Sequence, residues 1–245
     1  VTRPYFLEVL RLYNENKLTL TQVTEIFLTT ESYLFRRTMC DLPTNALNKI
    51  FLMLHREIVR YDGTEDDYVE KFKYALLSKK ERARFPDDVE FKVAFEERPV
   101  YLMNSKNKIY ILERFENFGT SEDKDVYRHC DDGTYSIEHI MPQHLTPVWQ
   151  KELGDDYEQI HEEWLHRMAN LTLTAYNSKY SNSSFTEKKT MQNGFDDSGI
   201  RMNTWIAKKN KWTLAELEER SEYLMGRALS IWAAPVTEYK PEEKQ

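Results

Sequence analysis

Tyr135-Ser136-Ile137-Glu138-His139-Ile140-Met141-Pro142-Gln143 and, further along, Asn170-Leu171-Thr172-Leu173-Thr174 are the stretches whose reading decides the fold. In both, β-branched and aromatic or aliphatic residues alternate with a period of two, which predicts short β-strands over 135–140 and 171–174. Pro142 biases Met141 to an extended conformation and ends the first run. Between the two, Tyr157, Ile160, Trp164 and Met168 recur at helical spacing, so the connection contains a helix of its own.

Outward from this pair the sequence reads as helix. Thr19-Leu20-Thr21-Gln22 is a capping-box pattern opening a segment that buries Val23, Ile26 and Phe27. Leu47, Ile50, Phe51, Leu54 and Ile58 form a helical stripe, and Thr64 is placed to cap a helix carrying Tyr68, Phe72 and Leu76, with Asp66 and Asp67 in its first turn. Val100 to Phe118 is read as helix because Ile109, Leu112 and Phe115 repeat every three. Ser184-Phe185-Thr186-Glu187 and Thr213-Leu214-Ala215-Glu216 are further capping boxes, the second leading into Leu217, Leu224, Ala228 and Ile231. The polar stretch 119–134 is the expected connector and boundary, and the charged tail from Pro235 is expected to be disordered. The fold class expected is mainly α with a small β component.

Composition narrows the function. Only 7 glycines occur in 245 residues, and neither a P-loop nor a GxGxxG pattern can be written, which argues against nucleotide binding by a glycine loop. The longest apolar run, Ile50 to Leu54, is too short to span a bilayer. Two distant cysteines without a CxxC fit a reducing cytoplasm and oppose a zinc ribbon, and His129-Cys130 has no second chelating pair, so no zinc is expected. The start, Val1-Thr2-Arg3-Pro4, has neither Met nor an apolar signal, and an upstream segment is expected.

The residues that carry chemistry are Glu138, His139, Asn170 and Asn177, followed by Asn182 and Lys188. A carboxylate, an imidazole and amide oxygens supply a hard oxygen ligand and a base, a set that suits Mg²⁺ better than Zn²⁺. Strict alternation sends Glu138 and His139 to opposite sheet faces, so both reach one site only if the strand bends. His144, His161 and His166 carry no motif support; His161 reads as a boundary residue beside Trp164. Arg36 and Arg37 are assigned structural roles.

At these residues the sequence resembles the HNH, or His-Me finger, nucleases, and within them the C-terminal domain of GmrSD-type modification-dependent (type IV) restriction endonucleases. The resemblance rests on Ile137 to Gln143, Trp149, Asn170 to Thr174, Asn177, and Ser181-Asn182 through Phe185 to Lys188, and extends upstream to Tyr33 to Arg37 and Leu42 to Asn45. It implies an embedded ββα-metal unit within a multi-helix domain. His139 is then the general base, Glu138 and Asn177 bind Mg²⁺ or Mn²⁺, and Asn170 fixes the loop and the imidazole. Asn182 and Lys188, within the matching stretch, are expected to support substrate, as are Lys179 and Lys189 from the basic stretch between Ser178 and Trp212. Three departures stand out: Asn177 replaces the third letter His, Glu138 replaces the shorter Asp, and Ala169 stands where the family usually has Gly.

The organisation expected is a helical region 1–118, a connector 119–134, a nuclease region 135–234 and a tail 235–245. The function expected is a metal-dependent DNA endonuclease of restriction and phage defence. Its partners would be double-stranded DNA, modified phage DNA in the full-length context, and an N-terminal recognition or NTPase domain; no membrane is expected. The alternatives are a silent DNA-binding module and a ribonuclease of the same fold. The chain's net charge of −7 sits uneasily with DNA until mapped: Ser178 to Trp212 is net +4, with Tyr180, Phe185 and Trp205 interleaved among its lysines.

Overall fold

The computed structural model describes residues 1–241, among which the chain is mainly helical with one two-stranded sheet. It packs as two compact units, residues 1–95 with the segment from Trp232, and residues 96–231.

The first unit contains α1 (Arg3–Asn14), α2 (Leu20–Met39), α3 (Leu47–Arg60), α4 (Tyr68–Leu77) and most of α5 (Asp88–Glu97). The α2 capping box closes both ways: Gln22 N donates to Thr19 Oγ1 and Thr19 N donates to Gln22 Oε1. The apolar stripes bury as their spacing demands, with Ile26, Leu54, Ile58 and Phe72 fully enclosed, whereas Phe27 stays part-exposed against Phe6. Arg36 and Arg37 are buried and structural. Arg36 donates to the carbonyls of Trp232 (2.7 Å) and Pro86 (3.1 Å), meets Asp88 at 2.7 Å and lies over the Phe91 ring. Arg37 donates to Arg82, Arg84 and Pro43 carbonyls.

The second unit contains α6 (Ser105–Glu116), α7 (Val126–Asp131), β1 (Ser136–His139), α8 (Pro147–Leu153), α9 (Tyr157–Trp164), β2 (Leu171–Thr174), α10 (Asn177–Tyr180), α11 (Phe185–Thr190), α12 (Asn203–Ile206) and α13 (Leu214–Ile231). β1 and β2 pair antiparallel, with Glu138 opposite Thr172 and His139 opposite Leu171. Their core includes Ile140, Met141, Trp149, Phe185, Trp212 and Leu217. The Ser184 capping box forms in full at the start of α11.

Three expectations are corrected. Thr64 does not cap α4, which begins at Tyr68 after a left-handed Asp67; Thr64 instead closes a turn with Asp62 and Asp66 and accepts from buried Lys71. The packing break falls between Phe95 and Glu96, and the polar stretch 119–134 lies inside the second unit. Its polar groups serve internal bonds: the Asn117 amide joins both Lys124 N and Lys124 O, and buried Glu116 takes Lys124 together with the backbone N–H groups of Arg201 and Met202. The tail, finally, is ordered through the described residues, because Tyr239 packs against Tyr61 and Tyr74 and Thr237 donates to Glu70 O. Residues 242–245 of that expected disordered tail lie outside the described residues.

Arg36→Met should destabilise the chain by about 3 kcal/mol, since two buried carbonyls lose their donor at about 1–3 kcal/mol each. Asp88→Asn should cost about 1 kcal/mol or less, because Asp88 is 63% exposed and surface ion pairs contribute little. Denaturant unfolding of the two variants measures the difference, and equal losses would contradict it.

Candidate functional site

His139 ends β1 and is 5% exposed. Its Nε2 lies 3.3 Å from Nδ1 of His166, and its ring meets Tyr101 edge to face at 4.3 Å. His166 stacks nearly parallel on the same tyrosine, with ring centroids 5.4 Å apart and planes 10° apart. Tyr101 N donates to His166 O at 3.1 Å, and Lys108 covers the tyrosine ring while donating to its carbonyl. Burial foremost, then the neighbouring His166 and the charge of Lys188, holds the His139 pKa down at about 3. The imidazole is therefore neutral near pH 7, with one nitrogen carrying a proton and the other accepting.

Asn170 fixes the loop behind His139. It is fully buried in the turn that leads into β2, and its side chain does the work of a peptide group. Its Oδ1 accepts from Met141 N at 2.8 Å, while Nδ2 donates to Met141 O at 2.9 Å and Leu165 O at 3.1 Å. Ile140 N donates to Asn170 O, so the ladder continues one step past the strand. Few side chains carry donor and acceptor on one planar group, which is why Asn suits this position. Ala169 raises no conformational difficulty, because its backbone is not left-handed and no glycine is required. Arg220 on α13 clamps the same turn by donating to Ala169 O and Leu171 O.

Glu138 leaves the strand toward different partners. Its Oε1 pairs at 2.5 Å with Nζ of Lys188 on α11, and that ammonium also donates to His139 O and Ile140 O. Lys188 is 0% and Glu138 3% exposed. Burial pushes the Glu138 carboxyl up to about 7 and the Lys188 ammonium down, and each charge partly offsets the other's shift. Lys188 thus meets the Glu138 carboxylate and the His139 carbonyl together, while the His139 ring turns to His166 and Tyr101.

The remaining expected site residues are dispersed. Asn177 is exposed at the start of α10, with Nδ2 3.4 Å from Ile137 O. Asn182 is exposed; Lys179 lies over the Tyr176 ring; Lys189 pairs with Asp196 and donates to Ala207 O. Arg201 and Lys209 are also taken up, by Glu122 O and by Glu219. Tyr180 and Phe185 are core residues, and Trp205 stacks on Tyr223. The basic stretch is mostly a set of internal partnerships rather than an open cationic face.

This donor set does not fit a resident hard cation. The one carboxylate expected to bind it is shielded by an ammonium, and among the described residues no group of three His, Cys, Asp or Glu side chains converges. His166, Tyr101 and Arg220 carry no motif in the sequence, and each reaches the site from another segment. Only the position of His166 in the approach to Asn170 hinted at its role.

Lys188→Met should destabilise the second unit by about 2–5 kcal/mol, because the buried carbonyls of His139 and Ile140 lose their donor at about 1–3 kcal/mol each, while Glu138, whose carboxyl is already pushed up to about 7, takes up a proton. Glu138→Gln should leave the calorimetric response to Mn²⁺ unchanged, since the carboxylate serves Lys188. Loss of a Mn²⁺ binding heat in Glu138→Gln, with the fold intact by circular dichroism, would return Glu138 to the metal-ligand role.

Comparison with curated proteins finds no match. A model of the family described as GmrSD restriction endonucleases, C-terminal domain, matches residues 85–227, more than half of the chain and every residue of the site from Tyr101 to Arg220. The chain therefore belongs to the family of C-terminal domains of GmrSD restriction endonucleases.

Proposed function

We propose that this chain is an HNH-type nuclease domain that hydrolyses DNA phosphodiester bonds with His139 as general base. The observation that carries the reading is a neutral, buried imidazole at the end of β1, held by a loop that the Asn170 amide locks. In the reaction, an imidazole nitrogen takes a proton from water as the water oxygen bonds to phosphorus. The bond from phosphorus to the leaving sugar oxygen breaks, and that oxygen takes a proton from solvent. The incoming phosphate is anionic and favours the imidazolium that forms, which counters the burial that otherwise disfavours it. No step is assigned to a metal ion, because the expected carboxylate ligand is the partner of Lys188.

Membership of a restriction-endonuclease family supports DNA as the substrate, and the absence of a helix long and apolar enough to cross a membrane among the described residues fits a cytoplasmic role. In this reading the domain supplies cleavage within a modification-dependent restriction protein, and selection of modified phage DNA belongs to another domain. A second reading, a finger kept as a fold without catalysis, is favoured by the Glu138–Lys188 pair alone.

His139→Ala should lower cleavage of plasmid DNA by about 10²- to 10⁴-fold with the fold intact, the scale of a lost general base. Plasmid nicking with Mg²⁺, with Mn²⁺ and with chelator tests this, and an unchanged rate in the variant refutes the assignment. Because most of the basic stretch is internally paired, the chain should bind DNA weakly. It should treat modified and unmodified duplexes alike, and lose affinity steeply with salt. Fluorescence anisotropy on both duplexes at several salt concentrations is the measurement; sharp discrimination by the 245-residue chain would place recognition within it.

A further inference from the structure

We propose that His166 is a positioning residue that sets which nitrogen of His139 accepts the proton. The inference rests on His139 being the base.

Three contacts carry it. His166 Nδ1 faces His139 Nε2 at 3.3 Å, so one ring nitrogen of His139 is already engaged. His166 cannot turn freely away, because its ring lies flat against Tyr101 and its carbonyl accepts from Tyr101 N. Tyr101 also meets the His139 ring, so one tyrosine fixes both imidazole planes. An imidazole without a directed partner holds its proton on either nitrogen and flips between equivalent orientations. With His166 Nδ1 as acceptor, the His139 proton resides on Nε2, and Nδ1 of His139 keeps the lone pair that takes the proton from water.

The same contact strengthens as the reaction proceeds. When His139 gains a proton it becomes an imidazolium; a protonated His166 would oppose that charge, but burial lowers the His166 pKa, and toward the neutral ring the Nε2–H bond becomes charge-assisted. The gain arises only as the proton moves, so it acts on the chemical step and not on DNA binding. The orienting third group of a nucleophile–base pair plays an equivalent part elsewhere, there as a carboxylate. Here the partner is a half-buried ring whose pKa burial lowers, so that it is neutral near pH 7.

The test uses the whole chain and plasmid DNA in the presence of Mn²⁺, comparing wild type, His139→Ala, His166→Phe and His166→Asn. Asn places a polar atom near the position of Nδ1 and restores an acceptor. His166→Phe should lower kcat by about 10- to 100-fold with KM within about twofold, the scale of a lost hydrogen bond to a charged group, and His166→Asn should recover most of the rate. Long-range ¹H–¹⁵N spectra of the imidazoles should show His139 protonated on Nε2 in wild type and a tautomer mixture in His166→Phe. An inactive His139→Ala together with a wild-type rate in His166→Phe overturns the positioning role alone. An active His139→Ala overturns the base and the positioning role together. In a chain that cuts no DNA the spectra still decide: a proton on Nδ1 of wild-type His139 overturns the proposal, and an Nε2 proton that becomes mixed in His166→Phe supports it.

Discussion

The Asn170 side chain has no contact with water, yet its amide meets both polar groups of Met141 and the carbonyl of Leu165. Buried polar groups left unpaired cost about 1–3 kcal/mol each, so this one residue settles several such debts at once. Ile140, Met141 and Pro142 leave β1 along a path where no further strand among the described residues pairs with them. The Asn170 amide and its backbone carbonyl take the place of that strand, and His139 stays where the ladder delivers it. The loop, the end of the sheet and the imidazole therefore share one constraint.

Around it, buried cations do structural work on carbonyl oxygens. Lys188 holds His139 O and Ile140 O on one side of the sheet, and Arg220 holds Ala169 O and Leu171 O at the entry to β2. In the first unit Arg36 and Arg37 serve carbonyls in the same way. Short strands and turns leave acceptors without partners, and a long cationic side chain supplies several donors from a distance. The consequence for function is direct: lysines that count toward a basic patch in the sequence are not all available to phosphate.

Much of the fold was legible because helices and strands are local. The stripe from Leu47 to Ile58, the capping boxes at Thr19 and Ser184, and the alternation around Ile137 and Leu173 each depend on residues within a turn or two, and each formed. Where the structure departs, local signals compete or distant partners decide. The capping pattern at Thr64 gives way to a turn with Asp62 and Asp66 and a bond from Lys71, whereas the polar composition of 119–134 and of the tail does not show their partners, Glu116 for the connector and Tyr61 with Tyr74 for Tyr239.

The sequence by itself determined the helical class, the two strands, and the order in which His139, Asn170 and Asn177 follow one another, since period and order are properties of the chain. It also carried the family, through that order. Only the tertiary structure decided that Glu138 pairs with Lys188, fifty positions away, and that His139 faces His166 and Tyr101. Those pairings depend on which segments meet when the core closes. Spacing along the chain says which face a side chain takes, and packing alone says what waits on that face.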